Sequence, residues 1–365
     1  MSTDVSTSST NVAGVVRPQG LLGVPLAVEP LNRKDFTSDQ EVRWCPGCGD
    51  YAILAAFLGF MPELGIKREN TVIVSGIGCA ARFPYYVDTY GMHSIHGRAP
   101  AIATGVATAR EDLAVFVVTG DGDSLSIGGN HLIHALRRNV NITILLFNNR
   151  IYGLTKGQYS PTSEAGKVTK STPLGSVDAP FNPLSLALGA EASFVARTID
   201  SDRKHLTEVL TQAAAHRGAS FVEIYQNCPI FNDGAFDELK DVETADASVI
   251  RLVHGEPITF AGGRLGVHRT ANGELEVVEV AEVGTEALVV HDAHAEDPAY
   301  AFALSRLSAS GAVTRSPIGV LRDVQRPVYD DQVRDQVATA SGGRTATEQD
   351  LQQVILGRDA WTVAG

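Results

Sequence analysis

Gly120-Asp121-Gly122-Asp123 follows directly on the apolar run 115–119, and Asn148-Asn149 closes a second such run, 142–147. The intervening stretch, 127–138, has apolar residues at helical spacing, so the whole reads strand, helix, strand, with the polar pairs at the two strand ends. A diphosphate is held through a divalent cation, and Mg²⁺ takes oxygen ligands in near-octahedral geometry, shared between protein and phosphate. Asp121 offers a carboxylate from one strand end. Asn149 offers an amide oxygen from the parallel neighbour, and the carbonyl of Ile151 is placed to add a third ligand. Gly120 and Gly122 let backbone approach phosphates where a side chain would obstruct it. A lone Gly-Asp-Gly is a common turn. In this setting, with Asn-Asn one helix and one strand later, it is the pattern a thiamine diphosphate site needs.

Outward from this core the alternation continues. Residues 49–61 read as a helix closed by Pro62, Thr71–Ser75 as a buried strand running into Gly76-Ile77-Gly78-Cys79, and 99–110 as an alanine-rich helix. Residues 194–197, 205–216 and 221–225 add a strand, a helix and a strand. Strands separated by helices imply βαβ units with right-handed crossovers, here an α/β doubly wound parallel sheet of the thiamine diphosphate-binding type. Ligands of such sheets bind at the carboxyl ends of the strands. Residues 76–79, 120–123, 148–156 and 226–228 all follow strand ends, so every candidate residue falls on one edge of one sheet.

Beyond about Phe236 the texture changes. Residues 250–280 and 287–290 suggest short antiparallel strands, 297–307 a helix with Pro298 in its first turn, and the chain from Gln325 is polar and weakly patterned, with Ser341-Gly342-Gly343 as a flexible point. Three segments are therefore expected: a disordered tail over 1–35, Ser/Thr-rich at its start; a cofactor-binding domain over 36–235; and a C-terminal extension over 236–365 that wraps the core or a partner subunit. At 365 residues and 44% hydrophobic the chain can bury a full core. A net charge of −12 argues against nucleic acid as the main partner. No apolar run approaches membrane-spanning length and no signal core precedes the domain, so a cytoplasmic protein is expected.

The four cysteines, Cys45, Cys48, Cys79 and Cys228, are too few for a disulfide framework. Cys45-Pro46-Gly47-Cys48 admits a thiol–disulfide pair at a helix N-terminus, half of a four-thiolate zinc site, or half of the ligand set of a [4Fe–4S] cluster. Cys79 or Cys228 alone reads as a buried apolar thiol. Both, however, leave strands at the edge where the diphosphate belongs, so all four thiols can converge beside it. For the four together the iron–sulfur reading is preferred to zinc, and zinc to a disulfide.

These motifs together resemble the β subunit of the 2-oxoacid:ferredoxin oxidoreductases. Trp44-Cys45-Pro46-Gly47-Cys48-Gly49-Asp50-Tyr51 resembles that family's cluster motif, Gly76-Ile77-Gly78-Cys79 its diphosphate loop, and His96-Gly97-Arg98-Ala99 the loop before a cofactor-contacting helix. Gly120-Asp121-Gly122-Asp123, Gly128-Gly129-Asn130-His131 and Asn148-Asn149-Arg150-Ile151-Tyr152-Gly153 complete the pattern, over roughly residues 36–235. The stretch 128–131 is more similar to the 2-oxoglutarate type than to the pyruvate type.

The resemblance implies oxidative decarboxylation of 2-oxoglutarate with coenzyme A to succinyl-CoA, electrons passing singly through a [4Fe–4S] cluster held by Cys45, Cys48, Cys79 and Cys228 to ferredoxin. It implies that Gly76, Ile77, Gly78, Cys79, Ala80, Gly120, Asp121, Gly122, Asp123, Gly153 and Leu154 line the cofactor, with Asp121, Asn149 and Ile151 on Mg²⁺. His96 is a candidate proton-transfer residue or cofactor contact. Arg82 and Lys156 flank site motifs and are candidates for the two carboxylates of a dicarboxylate substrate, although a lone Arg or Lys is more often a solvated surface charge. His93, His131 and His134 read as structural. No residue of the sequence is identified as the acid that activates thiamine. In the family it comes from the α subunit, so an (αβ)₂ heteromer is expected. The alternatives are the same chemistry on pyruvate or a branched-chain 2-oxoacid, and a non-catalytic electron-transfer or zinc-stabilised scaffold.

Overall fold

The computed structural model describes residues 17–308 and 313–363. Its centre is an eight-stranded sheet built from β1 (Thr71–Ser75), β2 (Tyr90–His93), β3 (Ala114–Gly120), β4 (Ile142–Asn148), β5 (Phe194–Ile199), β6 (Ala219–Tyr225), β7 (Val249–Arg251) and, after three short strands elsewhere, β11 (Ser316–Asp323). The strand order is β2-β1-β3-β4-β6-β5-β11-β7. All pairings are parallel except that of β11 with β5. The central strands are buried from end to end, as their unbroken apolar runs require of a sheet covered on both faces.

Side-chain alternation divides that core in two. Phe116 and Val118 of β3 pack with Ile53, Phe57 and Phe60 of the helix Asp50–Phe60 and with Leu206, Val209 and Leu210 of the helix Arg203–Ala215. Val115 and Val117, pointing the other way, pack with Ala103 of the helix Ala99–Ala109 and Leu132 and Leu136 of the helix Gly129–Arg138. Helix starts follow local chemistry. Asp202 accepts the backbone N–H of His205, and Asn182 that of Ser185, at the N-termini of two helices.

The β1, β3, β4 and β6 strands are neighbours, and their ends are level. Ser75 pairs with Val118, Gly120 with Phe147, and Asn148 with Tyr225. The four loops singled out in the sequence therefore emerge side by side.

Three expectations change. The expected tail over 1–35 is too long: Leu21 and Val24 are buried in the core and Asn32 caps the turn Arg33–Phe36, whereas residues 1–16 lie outside the described residues. The helix expected over 127–138 begins two residues later, at Gly129, and a separate short helix, Asp121–Leu125, precedes it; at the join Gly128 packs so closely that a Cβ there would meet the Asp123 carbonyl at 2.5 Å.

The extension beyond 236 is also integral to the main sheet. It supplies β11 and β7, so it is no mere wrapping, and only β8 (Thr259–Phe260), β9 (Leu265–Arg269) and β10 (Leu275–Glu279) form a separate antiparallel sheet. Residues 287–290 contribute isolated bridges to it. β11 escaped notice because Pro317, Gly319 and a register shift between Val320 and Arg322 break the strand signature. Two helices, Tyr329–Ser341 and Glu348–Leu356, occupy the polar stretch read as weakly patterned.

Candidate active site at the carboxyl edge of the sheet

One pocket gathers Ile77, Gly78, Cys79 and Ala80 from the loop after β1, His96, Gly120, Asp121, Gly122 and Asp123 after β3, and Asn149, Ile151, Gly153 and Leu154 after β4. Asp50, Phe147, Tyr152, Thr155 and Gln226 complete its wall. A larger cavity of about 660 Å³ lies elsewhere, between Lys240 and Arg251. Its cations are already paired, Lys240 with Asp200 at 2.9 Å and Arg251 with Asp202 at 2.6 Å, and it has no comparable donor set.

The backbone around the pocket is open where a phosphate needs room. Gly78 has φ +126°, a conformation side chains rarely adopt, and a Cβ there would meet nothing within 4 Å. Gly122 is tight for a different reason: a Cβ would fall 2.2 Å from the ring of Tyr152, whose hydroxyl donates to the Gly122 carbonyl at 2.9 Å.

Asp123 is the tie between loops. Its Oδ1 accepts the backbone N–H groups of Ile77 (3.1 Å) and Gly97 (2.7 Å), Oδ2 accepts the Thr119 hydroxyl (2.7 Å), and His96 Nδ1 stands 2.7 Å from Oδ1. The carboxylate lines the pocket, but its oxygens hold the walls together. Asp121 is equally buried. Its Oδ2 accepts hydroxyls from Ser160 (2.5 Å) and Thr162 (2.6 Å), and burial raises its carboxyl above the usual range against the pull of these donors. Asn149 Oδ1 accepts the Ile151 N–H at 3.2 Å, which fixes the turn carrying the Ile151 carbonyl. Behind them Asn148 donates to Glu223, and Glu223 pairs with fully buried Arg197 at 2.7 Å.

The four thiols come together at one side of this pocket. Cys45 is exposed, Cys48 and Cys79 half-buried, Cys228 buried, and none is in a disulfide. The two loops are locked by Trp44, whose indole N–H donates to the Cys79 carbonyl at 2.8 Å. A Cβ on Gly153 would lie 3.6 Å from Cys79 Sγ and 3.7 Å from Cys228 Sγ. Burial, then Asp50 and neighbouring thiols, push the Cys79 thiol up to about 12, and burial raises Cys48 further. Burial raises the Cys228 thiol, against the pull of the backbone N–H groups of residues 230–232. Convergence is loose: among the described residues no three His, Cys, Asp or Glu side chains form a closed metal-binding group.

The donor chemistry fits the implied groups. Four thiols from three loops, one of them accepting the Gln226 side-chain N–H, suit a cluster that takes four thiolates and is tuned by hydrogen bonds to sulfur. An open glycine cradle beside a braced carboxylate and an amide oxygen suits a Mg²⁺-held diphosphate. Asp50, which also lines the pocket, offers a further acceptor to the same groups. It is about 1% exposed, neither carboxylate oxygen has a hydrogen-bond partner among the described residues, and burial pushes its carboxyl up to about 7.

His96 lines the pocket, but the structure does not bring all the proposed catalytic residues there. The Arg82 guanidinium turns to the Arg43 carbonyl at 3.2 Å and is not among the pocket-lining side chains. Lys156 is exposed, one residue beyond Thr155 at the rim. His93 bonds the Ser75 hydroxyl at 3.1 Å and packs on Tyr85, a structural placement. Sequence reasoning missed Ser160, Thr162 and Gln226 as site residues, and gave Tyr152 no role although it stood inside the quoted 148–153 motif. Asp50 stood inside the quoted cysteine motif and was signalled; Ser160 and Thr162 reach Asp121 from some 40 residues away in sequence, and no local pattern marks them.

Comparison with known proteins agrees with this geometry. Residues 76–224 match the family model for the C-terminal TPP-binding domain of thiamine pyrophosphate enzymes. The chain is 64% identical over 342 residues to the 2-oxoglutarate oxidoreductase subunit KorB of Mycobacterium tuberculosis, covering 93% of this chain and 91% of that one. It is 45% identical over 199 residues to the β subunit of 2-oxoacid:ferredoxin oxidoreductase 2 of Aeropyrum pernix, covering 54% of this chain and 64% of that one. Among solved structures, a 2-oxoglutarate:ferredoxin oxidoreductase from Magnetococcus marinus with 2-oxoglutarate, coenzyme A and succinyl-CoA bound superposes with TM-score 0.71 at 34% identity, over 90% of this chain and 97% of that one. With the glycine cradle and the braced Asp121 on neighbouring strand ends, these likenesses establish that the chain belongs to the β subunits of the 2-oxoacid:ferredoxin oxidoreductases.

Proposed function

We propose that the chain is the β subunit of an enzyme that decarboxylates 2-oxoglutarate oxidatively, joins the product to coenzyme A as succinyl-CoA, and releases two electrons one at a time to ferredoxin. The observation that carries this reading is the meeting, beside a diphosphate cradle on adjacent strand ends, of the three loops that bear the four thiols. The substrate is supported by the names of the relatives and of the structural neighbour.

Asp121, Asn149 and the Ile151 carbonyl would hold Mg²⁺. The loops 76–80, 120–123 and 153–154 would hold the diphosphate, and Cys45, Cys48, Cys79 and Cys228 a [4Fe–4S] cluster. When bound, thiamine diphosphate supplies the electron sink for decarboxylation. This chain's residues orient and exclude. Asp123 ties the loops bearing Ile77 and His96 to β3, Ser160 and Thr162 aim the Asp121 carboxylate, and Ile77, Phe147 and Leu154 present apolar surface. His96, its Nδ1 2.7 Å from Asp123 Oδ1, is the group available to hold or move a proton at the pocket wall.

No acid of this chain is assigned to thiamine activation, so the chain works with an α subunit in an (αβ)₂ assembly and is inactive alone. Among the described residues no helix is long and apolar enough to cross a membrane, and a cytoplasmic location goes with this reading. The test is anaerobic incubation of the co-purified complex with 2-oxoglutarate, coenzyme A and an electron acceptor. Succinyl-CoA formation is expected, and its absence would refute the proposal, as would turnover by the isolated chain. A monocarboxylate substrate is the second reading, favoured by Arg82 turning away from the pocket. Preference for pyruvate in the same assay would select it.

A further inference from the structure

Gln226 follows β6 directly and is about 1% exposed, yet its amide is not used as a buried amide ordinarily is. The Nε2 group donates to Cys48 Sγ at 3.2 Å and to the Asn227 carbonyl. The Oε1 atom has no hydrogen-bond partner among the described residues, and the side chain lines the cofactor pocket beside Asp50, Ile77 and Cys79. A buried amide oxygen without a donor is costly. At a pocket wall, such an atom points to a donor on whatever the pocket holds.

The position of Gln226 is imposed by its surroundings. Gly49 N–H donates to the Asn227 carbonyl at 3.1 Å, and Asn227 N–H to Asp200 Oδ2 at 2.8 Å. A Cβ on Gly49 would come within 2.9 Å of Gln226 Cγ and 3.0 Å of Asn227 N. The glycine of Cys45-Pro46-Gly47-Cys48-Gly49 is thus what lets Gln226 lie against the cysteine turn. This single side chain spans the gap between the thiol cluster and the pocket.

We infer that Gln226 is a positioning residue coupling the two sites: Nε2 sets the cluster's reduction potential through the Cys48 sulfur, while Oε1 takes a hydrogen bond from the group in the pocket. An N–H aimed at a cluster sulfur favours the more negative, reduced state and so raises the potential. Occupation of the pocket fixes the amide and strengthens that effect. The inference rests on the cofactor reading proposed above.

The test uses the αβ complex carrying Gln226→Met, which keeps length and loses the donor, and Gln226→Glu, which keeps shape and replaces the donor by oxygen. Iron and sulfide content, thiamine diphosphate binding and the midpoint potential from an anaerobic EPR-monitored titration are measured with and without the cofactor. Both variants are expected to keep the cluster and shift its potential downward, Gln226→Glu further. Cofactor binding is expected to raise the potential of the wild type and leave that of Gln226→Met unmoved, with single-turnover reduction of the cluster about tenfold slower in the variants. Iron-replete variants with the wild-type potential overturn the inference. Variants that bind the cofactor but hold no iron also overturn it, because the amide would then build the site and not tune it. A wild-type complex without iron overturns the cluster reading itself, which keeps the two failures apart.

Discussion

The Thr162 hydroxyl donates to Asp121 Oδ2 at 2.6 Å and lies 2.9 Å from Asn148 Oδ1. A hydroxyl has one proton to give, so the carboxylate and the amide oxygen share a single donor. Ser160 adds its own hydroxyl to the same carboxylate oxygen at 2.5 Å. The two fix the orientation of Asp121 from a segment 39 and 41 residues further along the chain.

Removing that brace should loosen the metal. Thr162→Val, nearly isosteric, is expected to weaken Mg²⁺-dependent retention of thiamine diphosphate by about tenfold, and combination with Ser160→Ala by more. Calorimetric titration of Mg²⁺ into the complex measures it. Unchanged affinity in the double variant would mean that Asp121 is oriented by other contacts.

Asp123→Asn tests the loop tie. The amide replaces one accepting oxygen, so the donors Ile77 N–H and Gly97 N–H on one side, or the Thr119 hydroxyl on the other, lose a charged partner. Hydrogen bonds to charged groups contribute about 1.5–3 kcal/mol each, and a loss of about 2 kcal/mol in unfolding free energy is expected from denaturant titration. Asp123→Glu should fare no better, since the carboxylate is packed so closely on Gly76 that a Cβ added there would fall 1.7 Å from Asp123 Oδ2, leaving no room for a longer side chain.

Arg197 and Glu223 form a pair with 2% and 1% side-chain exposure, anchored further by Ser316 Oγ at 2.9 Å and by the Tyr225 ring. Arg197→Met leaves a buried carboxylate uncompensated and is expected to cost about 3–5 kcal/mol, whereas Arg197→Met with Glu223→Leu should recover most of it. Equal losses in the single and double variants would contradict this account.

Acid should destabilise the fold through two histidines, His291 buried and His205 half-buried. His291, between the Tyr300 hydroxyl at 3.0 Å and the Val320 carbonyl at 2.8 Å, has its ordinary value of 6.5 lowered by burial, as does His205. The unfolded chain then takes up protons before the folded one, so stability is full above 6.5 and falls as pH drops below it. Unfolding free energies at pH 7.5 and 5.5 should show the decline, smaller in His291→Gln.

The legible part of the structure was the part governed by local rules. β1 reads as Thr71–Ser75 in both sequence and fold, and the four loops after β1, β3, β4 and β6 share an edge because parallel topology leaves little choice. What stayed hidden depends on long-range packing. β11 is a strand because Gly319, at φ +118°, fits against the Leu252 carbonyl, where a Cβ would come to 2.8 Å. Leu21 and Val24 are ordered because the helix Arg203–Ala215 offers them a face. In the site the pattern repeats. Asp121 and the cysteines announce themselves by type and spacing, whereas Gln226 and Thr162 are ordinary polar residues given a role by what folds against them, and Arg82 looked functional by adjacency yet faces the Arg43 carbonyl.

The central claim is that a thiamine site and an iron–sulfur cluster share one sheet edge in this chain. It is tested most directly by iron, zinc and acid-labile sulfide analysis of the complex purified anaerobically, beside a Cys228→Ala variant. About four irons and four sulfides per chain, lost or depleted in the variant, are predicted. One zinc with no sulfide would contradict the account and leave a thiamine enzyme with a structural metal.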